Sequence, residues 1–143
     1  YGLAGIMPAH VIYPNIDQNP AGFSSTWLQK ILRAEMQFEG CIFSDDLSMR
    51  GAADYLESII MRARTALNAG CDMVLVCNNP QGVDALLSQL QWEMSATSLS
   101  RLARMHARNN FGSMTKLREN ADYVQAVREI GSIGCENLHL PLQ

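Results

Sequence analysis

Three short runs of apolar residues punctuate the first half of the chain. Each is closed by turn-forming residues and followed by a stretch in which apolar positions recur every three or four residues. The first run covers residues 3–7 and ends at Pro8, with "AHVIY" after it. The second covers residues 41–43 and feeds into Ser44, Asp45 and Asp46. The third, "CDMVLVC" at residues 71–77, ends at "NNP". Unbroken apolar runs of this length suit strands covered on both faces, as in parallel sheets. Between the first two, Ser24 or Ser25 can cap a helix whose Trp27, Leu28, Ile31, Leu32 and Met36 form one stripe. Between the second and third, the spacing of Ile59, Ile60, Ala63, Ala66 and Leu67 predicts a helix over residues 54–68, with Gly70 as its stop. After "NNP", Val83, Leu86, Leu87 and Leu90 mark a third helix. Two more patterns, over residues 99–108 and 115–130, precede a tail ending "LHLPLQ".

Strands alternating with amphipathic helices imply right-handed crossovers and a parallel sheet, so the fold class is α/β. Three strands are few for a closed barrel, which needs eight strands and about 250 residues. The chain is therefore either a small open sheet or the last part of something larger. Its opening, "YGLAGIMPAH", has no initiating Met and reads as the middle of a protein, which favours the second.

Composition narrows the function classes. Hydrophobic residues make up 48% and charged ones 17% of the 143 residues, which supports one packed domain. The net charge is -3 and no Lys/Arg cluster occurs, which argues against a nucleic-acid or anionic-membrane partner. Arg101, Arg104 and Arg108 fall at helical spacing and read as a solvated face. No apolar run approaches the ~18 residues of a membrane span, and no export signal is visible. Cys41, Cys71, Cys77 and Cys135 form no C-x-x-C pair; they read as free thiols of a reducing compartment rather than a zinc site.

Active groups of parallel α/β folds gather at the carboxyl ends of strands. Here those ends offer His10; Ser44, Asp45 and Asp46; and Asn78 and Asn79. Adjacent carboxylates at the end of an apolar run are costly unless used or neutralised. Side chains alternate along a strand, so only one of Asp45 and Asp46 should face a ligand. The other is free to bond turn amides or cap a helical turn. Taken alone, the pair fits turn formation as well as chemistry, His10 fits a structural hydrogen bond, and Asn78 and Asn79 fit a turn and a cap.

The segments "GIMPAHVIYPNID", "FEGCIFSDDLSMRGA" and "ALNAGCDMVLVCNN", in this order and spacing, resemble glycoside hydrolase family 3, in particular its bacterial cytoplasmic β-N-acetylglucosaminidases. The likeness covers residues 5–79, with a looser helical tail. It implies that residues 1–143 are a single domain, the C-terminal portion of a (β/α)8 TIM barrel. It also implies a retaining exo-enzyme that releases terminal N-acetylglucosamine from peptidoglycan-derived muropeptides, in the cytoplasm, with no metal or organic cofactor. The family's nucleophile is the Asp directly after Ser in its Ser-Asp pattern, here Asp45, acting through a covalent glycosyl-enzyme. Asp46, His10, Met49 and Asn78 then become candidates for the pocket wall or for the support of Asp45.

The resemblance also marks what this sequence lacks. The family's acid/base His with its supporting Asp, its Lys-His pair, and its Asp and Arg sugar contacts lie earlier in the barrel and match nothing here. His10 is not that acid/base; His106 and His139 fall in helical and tail contexts. These 143 residues alone are thus expected to be inactive. The competing reading is a truncated half-barrel that is non-catalytic or associates with itself through exposed strand edges. A different sugar- or phosphate-binding barrel is a weaker third, since no Gly-rich phosphate loop appears.

Overall fold

The first two apolar runs meet as neighbours in a parallel sheet, and the third joins on the far side of the second. A computed structural model describes residues 2–106 and 112–133. Its strands are β1 (Gly5–Ile6), β2 (Ile12–Tyr13), β3 (Asp17–Pro20), β4 (Cys41–Asp46) and β5 (Met73–Leu75). The sheet order is β1-β4-β5 with both pairings parallel, while β2 and β3 form a separate antiparallel pair. The helices are a 3-10 turn (Ala21–Phe23), a π-helix (Thr26–Glu35), α1 (Arg50–Ala53), α2 (Ile59–Ala69), α3 (Pro80–Gln89), α4 (Ala96–Arg104), α5 (Met114–Glu119) and α6 (Ala121–Ser132). Arg108, Cys135, His139 and the "LHLPLQ" tail lie outside the described residues. The chain divides into two compact units, Tyr1–His106 and Ala107–Gln143. In the second, α5 and α6 pack on each other.

Several expectations are corrected. The β2–β3 hairpin after Pro8 was not anticipated: Ile16 N–H donates to the Tyr13 carbonyl across "YPNI" and turns the strand back. β4 is longer than its apolar run, because its ladder to β5 continues to Asp46, paired with Leu75. The helix expected over 54–68 starts later, as α2 at Ile59, and a separate short α1 precedes the expected span at residues 50–53. The one expected over 115–130 breaks at Asn120, whose side chain accepts from Tyr123 N–H and starts α6 as a new helix. Met36 leaves the predicted stripe at 68% exposure. The helix before it is wound with the wider i→i+5 bond, Met36 N–H to the Ile31 carbonyl, which turns later residues off the 3.6-residue face. Leu87 is exposed as well. It lines an apolar groove of about 440 Å³ with Val74, Val76, Val83, Leu86 and Leu90, beside β5. Among the described residues, the outer edges of β1 and β5 pair with no strand.

The core of the first unit joins Phe23, Leu28, Ile42, Leu47, Ala52, Cys71 and Leu86 to the alanines of α2, Ala63, Ala66 and Ala69. Small residues on α2 let it lie close against its neighbours. Gly70 ends it at φ 124°, and a Cβ there would run into Gln29. Two buried charges bracket this core. At one end Asp72 accepts from Ile42 N–H (2.9 Å), Arg33 (2.8 Å), Ser98 (2.7 Å) and Arg101 (3.3 Å), so it ties β4 to the π-helix and α4. Burial, with Arg101 nearby, pulls Arg33 below the usual arginine range. Towards the other end, Arg62 donates to the carbonyls of Leu47 (2.8 Å), Leu56 and Glu57 (2.6 Å). No helix among the described residues is long and apolar enough to cross a membrane.

Candidate active site

The site begins with an irregularity in β4. Phe43 faces Met73 and Asp46 faces Leu75, so three steps along β4 match two along β5. That extra residue is a β-bulge, which bends a strand and re-aims its side chains. Ser44 sits inside it, fully buried, and its Oγ accepts Leu75 N–H at 3.0 Å in place of a ladder carbonyl. The ladder closes again where Leu47 N–H donates to the Leu75 carbonyl at 2.9 Å.

The two acids that follow are bonded very differently. Asp45 is half-buried; its Oδ1 accepts Asp46 N–H at 2.8 Å, and its other oxygen makes no hydrogen bond among the described residues. Asp46 is committed to backbone. Its Oδ1 accepts Ser48 N–H at 2.8 Å and Cys77 N–H at 2.9 Å. Its carbonyl accepts Met49 N–H at 3.1 Å and lies 3.0 Å from His10 Nε2. A carbonyl can only accept, so His10 carries its proton on Nε2 in this bond. Asp46 is thus the member of the pair that bonds the turn amides.

His10 arrives from the end of β1. Its ring leans on Phe23, with centroids 5.2 Å apart, and Phe23 in turn stacks on Tyr55 at 5.5 Å. Gly51 at the start of α1 makes room for it, since a Cβ there would lie 3.0 Å from the His10 Cβ. His10 Nδ1 is buried without a hydrogen-bond partner. Met49 caps the N-terminus of α1 and is 46% exposed. Asn78 is exposed with φ 53°, a left-handed conformation that Asn tolerates, and Asn79 caps α3 by accepting Gly82 N–H at 2.9 Å. His10, Asp45, Asp46, Met49 and Asn78 therefore gather at one end of the sheet, four of them linked directly through Asp46 and Asn78 through its neighbour Cys77.

Sequence reading passed over two contributors, the Cys77 amide and Arg62, and placed Ser44 at the strand end without its bond to Leu75 N–H. The signal for Arg62 was available. It occupies a position on the buried stripe of α2 between Ile59 and Ala66, where a lone charge must find carbonyls. Tyr55 was missed too; its hydroxyl donates to Asn19 Oδ1 and ties the hairpin to the segment after α1. Among the described residues no group of three His, Cys, Asp or Glu could hold a metal ion.

A parallel α/β layer with a carboxylate at a bulged strand end has the organisation of the catalytic face of a (β/α)8 barrel. Residues 1–105 match the glycosyl hydrolase family 3 N-terminal domain, and the chain belongs to that family. It is 55% identical over 142 residues to the beta-hexosaminidase of Nitrosospira multiformis, covering 99% of this chain and 40% of that one. The Methylobacillus flagellatus beta-hexosaminidase is 53% identical over 98% of this chain and 40% of its own length. The structure resembles native NagZ from Neisseria gonorrhoeae at TM-score 0.73 and 39% identity, covering 87% of this chain and 34% of that one. It also resembles the same protein in complex with N-trifluoroacetyl-D-glucosamine at TM-score 0.74 and 38% identity, over 90% and 36% of the two chains. The three parallel strands are a portion of that barrel, and the chain spans about 40% of the length of the curated relatives it matches.

Proposed function

We propose that this chain forms the nucleophile-bearing part of a retaining β-N-acetylhexosaminidase, with Asp45 as the nucleophile. The observation that carries the reading is Asp45 itself: a carboxylate at the end of β4 with one oxygen held by Asp46 N–H and the other free of partners among the described residues. The free oxygen bonds to the anomeric carbon as the glycosidic C–O bond breaks, and the leaving oxygen takes a proton from a general acid. Water, deprotonated by the same acid/base group, then releases the sugar. No residue of this chain matches the family's acid/base histidine, so that group is assigned to sequence beyond these 143 residues.

The sugar is N-acetylglucosamine at the end of a peptidoglycan-derived muropeptide, and the compartment is the cytoplasm. Support for the sugar comes from the relatives named beta-hexosaminidase and from the N-acylglucosamine held by the Neisseria protein. Free Cys41, Cys71 and Cys77 fit a reducing compartment.

The test is a chimera in which this chain replaces the matching 40% of the Nitrosospira relative. It is expected to cleave a chromogenic N-acetylglucosaminide, and a slow fluorinated substrate is expected to label Asp45 by mass spectrometry. Asp45→Asn should lower kcat by at least about 10³-fold, the scale of losing a nucleophile that acts with other groups. A label on any other residue sinks the assignment.

A further inference from the structure

We propose that Asp46 is a positioning residue that clamps the loops after β1, β4 and β5 into one rigid mouth and thereby fixes the direction of the Asp45 carboxylate. Four acceptor bonds converge on this single residue. Its Oδ1 takes Cys77 N–H from the β5 loop at 2.9 Å and Ser48 N–H from its own turn at 2.8 Å. Its carbonyl takes the His10 imidazole from the β1 loop at 3.0 Å and Met49 N–H at 3.1 Å. Its own N–H is the donor that holds Asp45 Oδ1 at 2.8 Å. No other described residue touches all three loops through hydrogen bonds.

The physical consequence follows from the bulge. A bulged strand end has lost its regular ladder, so its side chains are aimed by whatever replaces the missing bonds. On the β5 side the replacements are the Ser44 hydroxyl, at Leu75 N–H, and the Asp46 carboxylate, at Cys77 N–H. Remove the carboxylate and the β5 loop is released, the Asp46 peptide can tilt, and Asp45 Oδ1 follows its donor. A shift of about 1 Å in a reacting group costs on the order of 100-fold in rate. Binding of the sugar by groups elsewhere need not change. The role concerns aim, so a neutral acceptor of the same shape should serve: Asn at 46 keeps an oxygen for both N–H groups.

The proposal rests on Asp45 being the nucleophile, and two arms separate its failure from the failure of that reading. In the 143-residue chain, amide hydrogen exchange followed by NMR should show Cys77 and Ser48 exchanging at least tenfold slower than Asn78, whose amide makes no hydrogen bond among the described residues. In Asp46→Ala both should speed up by at least tenfold, and in Asp46→Asn by less than threefold. In the chimera, with active sites counted by the fluorinated label, Asp46→Ala should lower kcat per labelled site by about 10–100-fold with KM within threefold. Asp46→Asn should restore kcat to within threefold. A merely structural role would lower the number of labelled sites or the melting temperature and leave kcat per site intact.

Unprotected Cys77 exchange in the unaltered chain overturns the clamp, as does Asp46→Ala with kcat per site within twofold. Should Asp46→Ala fail to fold, exchange in the unaltered chain and in Asp46→Asn decides. Should Asp45→Asn leave the chimera active, the nucleophile reading falls while the exchange arm still judges the clamp.

Discussion

Three thiols of the described chain share a chemistry and differ in surroundings. Cys41 and Cys71 are buried, Cys77 is exposed. Burial, aided by the nearby Asp72 charge, pushes the Cys71 thiol up to about 12, and burial raises Cys41 as well. The thiolate is the reactive form, so iodoacetamide at pH 8 should modify Cys77 and spare Cys41 and Cys71 in the folded chain. Peptide mapping reads this directly, and prompt labelling of Cys71 would count against the packing described. The same shift has a sign in stability. Below about pH 8.5 both folded and unfolded chains keep the proton and the contribution is fully present. As pH rises towards 12 the unfolded chain loses the Cys71 proton first, and stability falls. Urea unfolding of wild type against Cys71→Ala should show the wild-type advantage shrinking by about 1.4 kcal/mol per pH unit above pH ~9. A constant difference from pH 7 to 11 would contradict it.

Between elements, the strongest single tie is Asp72. It is almost wholly buried and joins the π-helix, α4 and β4 through Arg33, Arg101, Ser98 and the Ile42 amide. Removing one partner of such a network leaves charges buried without compensation, which costs about 3–5 kcal/mol. Asp72→Ala should lose stability on that scale in chemical denaturation, while Asp72→Asn, which keeps an acceptor, should lose less. A loss under about 1 kcal/mol for Asp72→Ala would show the network to be replaceable.

Elements were also where sequence reading met its limits. Apolar runs located all three sheet strands, because burial on two faces writes an unmistakable pattern. They misjudged the lengths: Asp45 and Asp46 belong to β4 by virtue of hydrogen bonds with β5, which no local pattern records. Asn120 looked like one more polar residue in a helix, since capping depends on where the backbone turns. The π-helix was read with the ordinary period and so misplaced Met36. At the site, residue types and strand-end placement made His10, Asp45, Asp46 and Asn78 legible. Which acid is free and which is spent was not, because that division is made by the amide of Cys77, distant in sequence.

For the molecule as a whole, the relatives' length is the decisive quantity. The sheet has three parallel strands, its β1 and β5 edges pair with no strand among the described residues, an apolar groove lies beside it, and the chain spans about 40% of the length of the curated relatives it matches. By itself the 143-residue chain should show no turnover of a chromogenic N-acetylglucosaminide. At micromolar concentration it should elute from size exclusion larger than a monomer, since unpaired strand edges seek partners. A monomer with measurable hydrolysis would refute both. Placing the chain in the chimera should restore turnover and suppress association together, because the same edges are involved in each.

The extra residue in β4 has a corollary for parity. Shorten the strand by one position between Phe43 and Asp45, and every side chain beyond the deletion swaps faces. The tethered acid would then look outward and the unencumbered one would be turned to the scaffold, so two neighbouring carboxylates are interchangeable in composition and opposite in fate.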